Sequence, residues 1–166
     1  INIRGMWIGT FHGLCNRLLR THFRDANLPQ TFQILDSQDQ LSLVKRVMKG
    51  LGVDEERFPP RQVQYFISAA KEEGKRAKQV EVFDDFSRRN AELYAAYDEQ
   101  CQKEGVVDFS ELLLRSYELL SRNELLRNHY QARFKHVLVD EFQDTNRLQY
   151  RWLKLLVGEA SVMFAV

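Results

Sequence analysis

Two kinds of apolar spacing divide this chain, and their order along it limits the folds open to it. From Thr10 to Arg133 apolar residues recur every three or four positions, the spacing of one helix face. At Met6-Trp7-Ile8, at His136-Val137-Leu138-Val139 and from Val162 to Val166 the apolar runs are short and continuous, as in strands buried on both faces. Strands near the two ends with helices between them predict a parallel α/β layer interrupted by a helical insertion. The expected fold class is α/β, predominantly α-helical, with an incomplete parallel sheet. The expected organisation is residues 1–26 as a strand and helix, 27–133 as the insertion and 134–166 as the return to the sheet.

Start and stop signals place the helices. Thr10 opens a helix with Phe11, Leu14, Cys15, Leu18, Leu19 and Phe23 on one face. Asp36 and Asp39 suit the cap of a helix that Gly50 and Gly52 end, and Pro59-Pro60 starts another that Gly74 ends. Phe83, Phe86, Leu93, Tyr94, Tyr97 and Cys101 predict a long amphipathic helix over 82–104, stopped by Gly105. Asp108 can accept the Glu111 N–H and start the next. A further helix holds Leu125, Leu126, His129 and Tyr130, and Asn146 caps the last, closed by Gly158.

With 166 residues, 44% hydrophobic and 28% charged, the chain can bury a core, which argues against disorder. Its 24 basic residues nearly balance 23 acidic ones, so the overall charge makes no case for a nucleic-acid or membrane partner, and any such case must be local. Cys15 and Cys101 form no metal-ligand or redox spacing, and no apolar run approaches a bilayer span. A reduced cytoplasmic setting without a membrane is expected. The chain begins at Ile1 rather than Met and stops inside an apolar run, which points to a segment cut from a longer one.

The chemistry concentrates in Val137-Leu138-Val139-Asp140-Glu141-Phe142-Gln143-Asp144-Thr145. A buried strand here delivers adjacent carboxylates to its C-terminal end, where open α/β sheets bind ligands. Nucleoside triphosphate hydrolysis needs a hard oxygen ligand for hydrated Mg²⁺ and a group that orients the attacking water. Asp140 suits the metal and Glu141 the water. Acidic residues also end strands merely to cap the next helix, so this motif alone leaves both readings open.

The continuation Asp-Glu-Phe-Gln-Asp-Thr over 140–145 resembles motif II of the superfamily 1 helicases of the UvrD, Rep and PcrA type. Thr10-Phe11-His12-Gly13 resembles their DNA-contacting motif Ib, and Phe32-Gln33-Ile34-Leu35-Asp36 and Val107-Asp108-Phe109-Ser110-Glu111-Leu112-Leu113 extend the similarity along the chain. The resemblance implies a RecA-like motor domain carrying a helical insertion. It also implies a 3′→5′ motor, driven by ATP and Mg²⁺, that moves on single-stranded DNA and separates forked or duplex DNA in repair and replication. Carried over by residue, it gives Asp140 the magnesium, Glu141 the general-base role and Gln143 the coupling of nucleotide state to DNA, with Asp144 and Thr145 supporting the turn. Thr10 and His12 become phosphate contacts, with Phe11 and Arg17 as further candidates. A cytoplasmic, nucleoid-associated location and DNA repair proteins as partners belong to the same implication.

The departures bear on activity. A phosphate loop requires Gly-x-x-x-x-Gly-Lys followed by Ser or Thr. Gly74-Lys75 fails this, because Arg76 follows and Ala69 stands at the earlier glycine position. The chain is therefore expected to be inactive alone, with no nucleotide bound. Arg17, Arg20 and Arg24 share a helix face, and Lys71, Lys75, Arg76 and Lys78 cluster around a loop, so either set could follow a DNA backbone or simply face solvent. Tyr65, Tyr94 and Tyr97 fall at core spacing rather than as base-stacking residues, and His22, His129 and His136 lack ligand spacing. The alternatives are a subunit of a related recombination helicase-nuclease and a helical module that binds DNA or a protein partner.

Overall fold

Thr10 begins the first helix as its spacing predicts. Its backbone is extended, and its Oγ1 accepts the Gly13 N–H at 3.1 Å, giving one first-turn donor an acceptor. The computed structural model describes residues 4–166, so the first three positions of the expected 1–26 segment lie outside the described residues. In chain order the elements are α1 (Phe11–Thr21), β1 (Gln33–Ile34), α2 (Ser37–Gly50), α3 (Pro60–Glu72), α4 (Asp85–Glu104), β2 (Val106–Val107), α5 (Phe109–Arg122), α6 (Glu124–Arg133), β3 (His136–Val139), α7 (Arg147–Leu156) and β4 (Val162–Ala165). Helices dominate and both strand pairs are parallel, which is the predicted class. Two compact units divide the chain: residues up to Asn27 with Leu112–Val166, and Leu28–Glu111.

The first unit holds the β3–β4 pair, in register from His136 opposite Val162 to Val139 opposite Ala165. α7 makes the crossover that a parallel pair needs. Asn146 starts it with a reciprocal box, accepting the Gln149 N–H at 2.8 Å while the Gln149 side chain accepts the Asn146 N–H at 3.0 Å. Leu148, Trp152, Leu153 and Leu156 form its buried stripe, and Cys15, Leu18 and Leu19 form that of α1. The Trp152 indole N–H donates to Ser116 Oγ at 2.8 Å, so the largest buried side chain leaves no orphaned donor.

The second unit packs α2, α3 and α4 around Leu43, Met48, Val63, Ile67, Leu93 and Tyr94. Gly105 ends α4 in the left-handed region at φ 66°, as a helix-terminal glycine does. The chain then forms β2, which pairs with β1 over two residues each. That pair is too short for any period to reveal.

Within this unit lies a buried ionic cluster. Lys71 is 1% exposed, and its Nζ reaches Asp108 Oδ2 at 2.8 Å, Asp98 Oδ1 at 3.1 Å and Glu111 Oε1 at 3.7 Å. Arg76 also bridges Asp98 and Glu111. Asp108 also accepts the Tyr97 hydroxyl and the Glu111 N–H, both at 2.7 Å. Burial alone would lower the Lys71 ammonium, but the surrounding carboxylates, Asp108 foremost, more than reverse this and hold it protonated. Burial, with the Asp108 charge beside it, pushes the Tyr97 hydroxyl far above the ordinary phenol value, so it stays a donor.

Several expectations are corrected. Met6-Trp7-Ile8 is not a strand: it has no ladder partner among the described residues, and Trp7 packs edge-on to Tyr130 and Phe134 instead. α4 begins at Asp85, not Val82, because Asp84 takes the cap and accepts the Ser87 N–H at 2.7 Å. Phe83 is thereby left outside the helix and 82% exposed. Tyr94 and Tyr97 are core, whereas Tyr65 is 76% exposed on α3. The Lys71–Lys78 cluster is not a basic strip, since Lys71 is buried, Arg76 is tied into the cluster and Lys75 pairs with Glu73 at 3.1 Å.

Candidate nucleotide and DNA site

The turn after β3 is fastened by backbone bonds to the end of β4. Val166 N–H donates to Val139 O at 3.0 Å and Phe142 N–H donates to Val166 O at 2.9 Å. Both strands run in the same direction, and Asp140 and Glu141 leave the sheet at its C-terminal edge. Glu141 has φ 50° and ψ 46°, a left-handed conformation uncommon for a residue with a side chain. The reversal lets a short 3₁₀ turn, Phe142–Asp144, follow at once. Thr145 Oγ1 donates back to Phe142 O and closes it.

Both carboxylates are exposed, and among the described residues neither forms an ion pair. Asp140 Oδ1 accepts the Glu141 N–H at 3.0 Å, which orients the Asp140 carboxylate. Two hard oxygen donors side by side fit Mg²⁺, which keeps several waters and takes one or two carboxylates together with phosphate oxygens. Gln143 is exposed in the middle of the 3₁₀ turn, one residue from the ring of Phe142, which meets Tyr150 of α7 edge-on at 6.1 Å.

Thr10, Phe11 and His12 stand at the start of α1. Thr10 is exposed at the helix start, where an α-helix presents N–H groups and the positive end of its dipole, an arrangement suited to phosphate. His12 is half-buried, and that burial lowers its value below the ordinary imidazole range. At neutral pH it is a neutral hydrogen-bonding group rather than a fixed cation. Phe11 is half-buried and meets Trp152 edge-on with centroids 5.9 Å apart. Arg17 is exposed, its guanidinium 4.4 Å above the Trp7 ring, and Arg133 approaches the same ring at 5.6 Å.

The structure thus brings Asp140, Glu141 and Gln143 into one turn and Thr10, Phe11 and His12 into one helix start. Phe11 links the two through Trp152, on the helix that follows the turn. Trp152 is expected from its spacing to lie inside the last helix, but Ser116, which anchors its indole, was not singled out from the sequence: a serine at an apolar helix position carries no pattern of its own. The left-handed Glu141 was equally silent, because only glycine advertises that conformation.

The family described as the UvrD/REP helicase N-terminal domain matches residues 2–166. The chain belongs to the UvrD/REP helicase family. It is 50% identical to DNA helicase II of Haemophilus influenzae and 49% identical to DNA helicase II of Escherichia coli, in each case over 98% of the chain. It is 35% identical to the ATP-dependent DNA helicase PcrA of Staphylococcus epidermidis over 93% of the chain. The chain spans 22%, 23% and 21% of the lengths of these relatives. UvrD/REP membership agrees with a helix-rich α/β segment. Among the described residues, no helix is long and apolar enough to cross a membrane.

Proposed function

We propose that this chain is a segment of an ATP-dependent helicase that moves 3′→5′ on single-stranded DNA and opens duplexes in repair or replication. In this reading residues 1–26 and 134–166 belong to a RecA-like motor domain and 27–133 to its helical insertion. The observation that carries the reading is the Asp140-Glu141 pair, leaving the C-terminal edge of a parallel strand pair with neither carboxylate neutralised by a described cation. Asp140 would hold Mg²⁺, which when bound would supply charge neutralisation to the phosphate oxygens. Glu141 orients the attacking water and accepts its proton. Gln143, on the same turn, relays the nucleotide state toward DNA.

Thr10 donates its hydroxyl to a DNA phosphate while its Oγ1 continues to cap α1, since one hydroxyl can do both. His12 adds a neutral hydrogen bond, and Arg17 provides the charge. Phe11 supports the site by packing on Trp152. The chain alone, which has no phosphate-loop sequence, does not turn over ATP. Single-stranded and forked DNA are the substrates, and repair proteins the partners, in a cytoplasmic and nucleoid-associated setting.

The test is unwinding by the full-length protein on two partial duplexes, one with a 3′ single-stranded tail and one with a 5′ tail. Separation of the 3′-tailed substrate in the presence of ATP and Mg²⁺ is the expected result. Equal activity on both, or on the 5′-tailed substrate alone, would refute the direction.

A further inference from the structure

The start of α4 leaves an aromatic ridge uncovered on the second unit. Asp84 caps the helix, so Phe83 stands outside it, 82% exposed, and Val82 before it is exposed as well. Three positions on, Phe86 is 46% exposed although its ring stacks on that of Phe58 with centroids 5.0 Å apart. That stack joins the turn over 54–58 to the start of α4, so one surface carries both segments. Single exposed apolar residues are ordinary, but three within 82–86, two of them phenylalanines, form a patch of the kind that marks a contact surface.

The charge beside the ridge is mainly of one sign. In the segments 54–58 and 81–88 the exposed carboxylates of Asp54, Glu56, Glu81, Asp84 and Asp85 face only two guanidinium groups, Arg57 and Arg88. Arg88 is engaged by Asp85 at 3.0 Å, and Arg57 lies over the Phe58 ring at 5.6 Å. Among the described residues Asp54, Glu56, Glu81 and Asp84 form no ion pair. Glu55 shares a hollow with Lys45 and Lys49 and adds nothing to this excess. Residues Leu28–Glu111 as a whole hold twelve Lys and Arg against sixteen Asp and Glu, so the unit is acidic around the ridge as well as at it.

We infer that this ridge docks a basic amphipathic segment of a partner protein. The segment lays an apolar side chain against Phe83 and Phe86 and its Lys or Arg side chains against Glu56 and Glu81. Carboxylates and aromatic ring faces both attract such cations, and Arg57 over Phe58 is an example within the chain itself. A nucleic acid fits less well: its bases could stack on the rings, but its phosphates would meet the five carboxylates. A second copy of this chain meeting it ridge to ridge would set like charges face to face. The inference does not depend on nucleotide chemistry, so its failure and that of the helicase reading are separable.

The test is fluorescence anisotropy with the full-length protein and three labelled probes: an amphipathic Lys/Leu peptide, a Lys/Ser peptide of the same charge, and an oligothymidylate. Glu56→Lys combined with Glu81→Lys is expected to weaken the Lys/Leu peptide at least about tenfold, since reversal adds repulsion to the lost attraction. Phe83→Ser is expected to weaken the Lys/Leu peptide and leave the Lys/Ser peptide unchanged. Glu56, Glu81 and Phe83 are exposed and lie outside the helices, so the variants keep the fold, which circular dichroism checks. No binding of the Lys/Leu peptide to the wild type, or binding that either variant leaves intact, would overturn the inference. So would loss of oligothymidylate binding in Phe83→Ser with the peptide unaffected, which would make the ridge a base-stacking surface.

Discussion

Lys71→Met isolates the buried ionic cluster with little change in shape, since methionine replaces most of the lysine stem and leaves no large cavity. What is lost is one positive charge, 1% exposed, facing three carboxylates. Asp98 keeps Arg76 and is a quarter exposed, so its share is small. Asp108 is the costly partner: it is as buried as Lys71 and retains only the Tyr97 hydroxyl and the Glu111 N–H. Removing one member of a buried pair costs about 3–5 kcal/mol, and the two surviving hydrogen bonds place this case near about 3 kcal/mol. Against a total of about 5–15 kcal/mol for a domain, that is a large fraction. With a urea slope of about 2 kcal/mol/M the midpoint falls by about 1.5 M. Both tryptophans, Trp7 and Trp152, lie outside the second unit, so the transition is followed by helical circular dichroism rather than indole fluorescence. Adding Asp108→Asn to Lys71→Met should restore part of the loss, because asparagine can still accept the Glu111 N–H but no longer leaves a charge unanswered. A midpoint shift below about 0.3 M for Lys71→Met, or a double variant less stable than the single by the full cost of Asp108→Asn alone, would refute the reasoning.

Gly105→Ala places a Cβ 2.9 Å from Pro29 Cγ at a φ of 66°. The left-handed backbone alone costs about 1–2 kcal/mol, so the melting temperature should fall by several degrees, and an unchanged melt would mean that the α4 terminus relaxes freely. Asp98 is held above the ordinary carboxylate value by burial first, which Lys71 and Arg76 offset only in part, with Glu111 pushing the same way as burial. A raised folded value means that its ionisation opposes folding. Its contribution is present below the unfolded value and is lost as pH rises through the folded one. Asp98→Asn removes that loss, so the stability of wild type minus variant should shrink as pH rises from about pH 4 in paired urea titrations, and a constant or growing difference would contradict the assignment.

Much of the site was legible because it rests on local chemistry. Asp140 and Glu141 follow an apolar run of strand length that does form β3, although it is not the buried strand expected, since Leu138 is 74% exposed; Thr10, Asp36, Asp108 and Asn146 are polar residues whose side chains reach the N–H three positions on, as the structure shows. What was hidden depends on contacts distant in sequence. Lys71 sits among Lys, Glu and Gly residues that read as solvent, yet it follows Ile67 by four positions and so shares its buried face. The three carboxylates that hold it lie 27 to 40 positions away, at Asp98, Asp108 and Glu111. Tyr65 matched a helical period and is exposed all the same, since period says which residues share a face and not whether another element covers it, while Phe83 is exposed because the Asp84 cap starts the helix after it. The Phe11–Trp152 contact joins two segments that the whole second unit separates in sequence.

The account stands most directly on Glu141. In the full-length protein with saturating single-stranded DNA, Glu141→Gln keeps the size of the side chain and its ability to orient a water but removes the proton acceptor. Steady-state ATP hydrolysis should fall by at least about 100-fold, while equilibrium binding of a fluorescent ATP analogue in Mg²⁺ changes by less than about threefold. Hydrolysis at the wild-type rate would contradict the assignment of Glu141, and with it the claim that the end of β3 is where this protein handles a triphosphate.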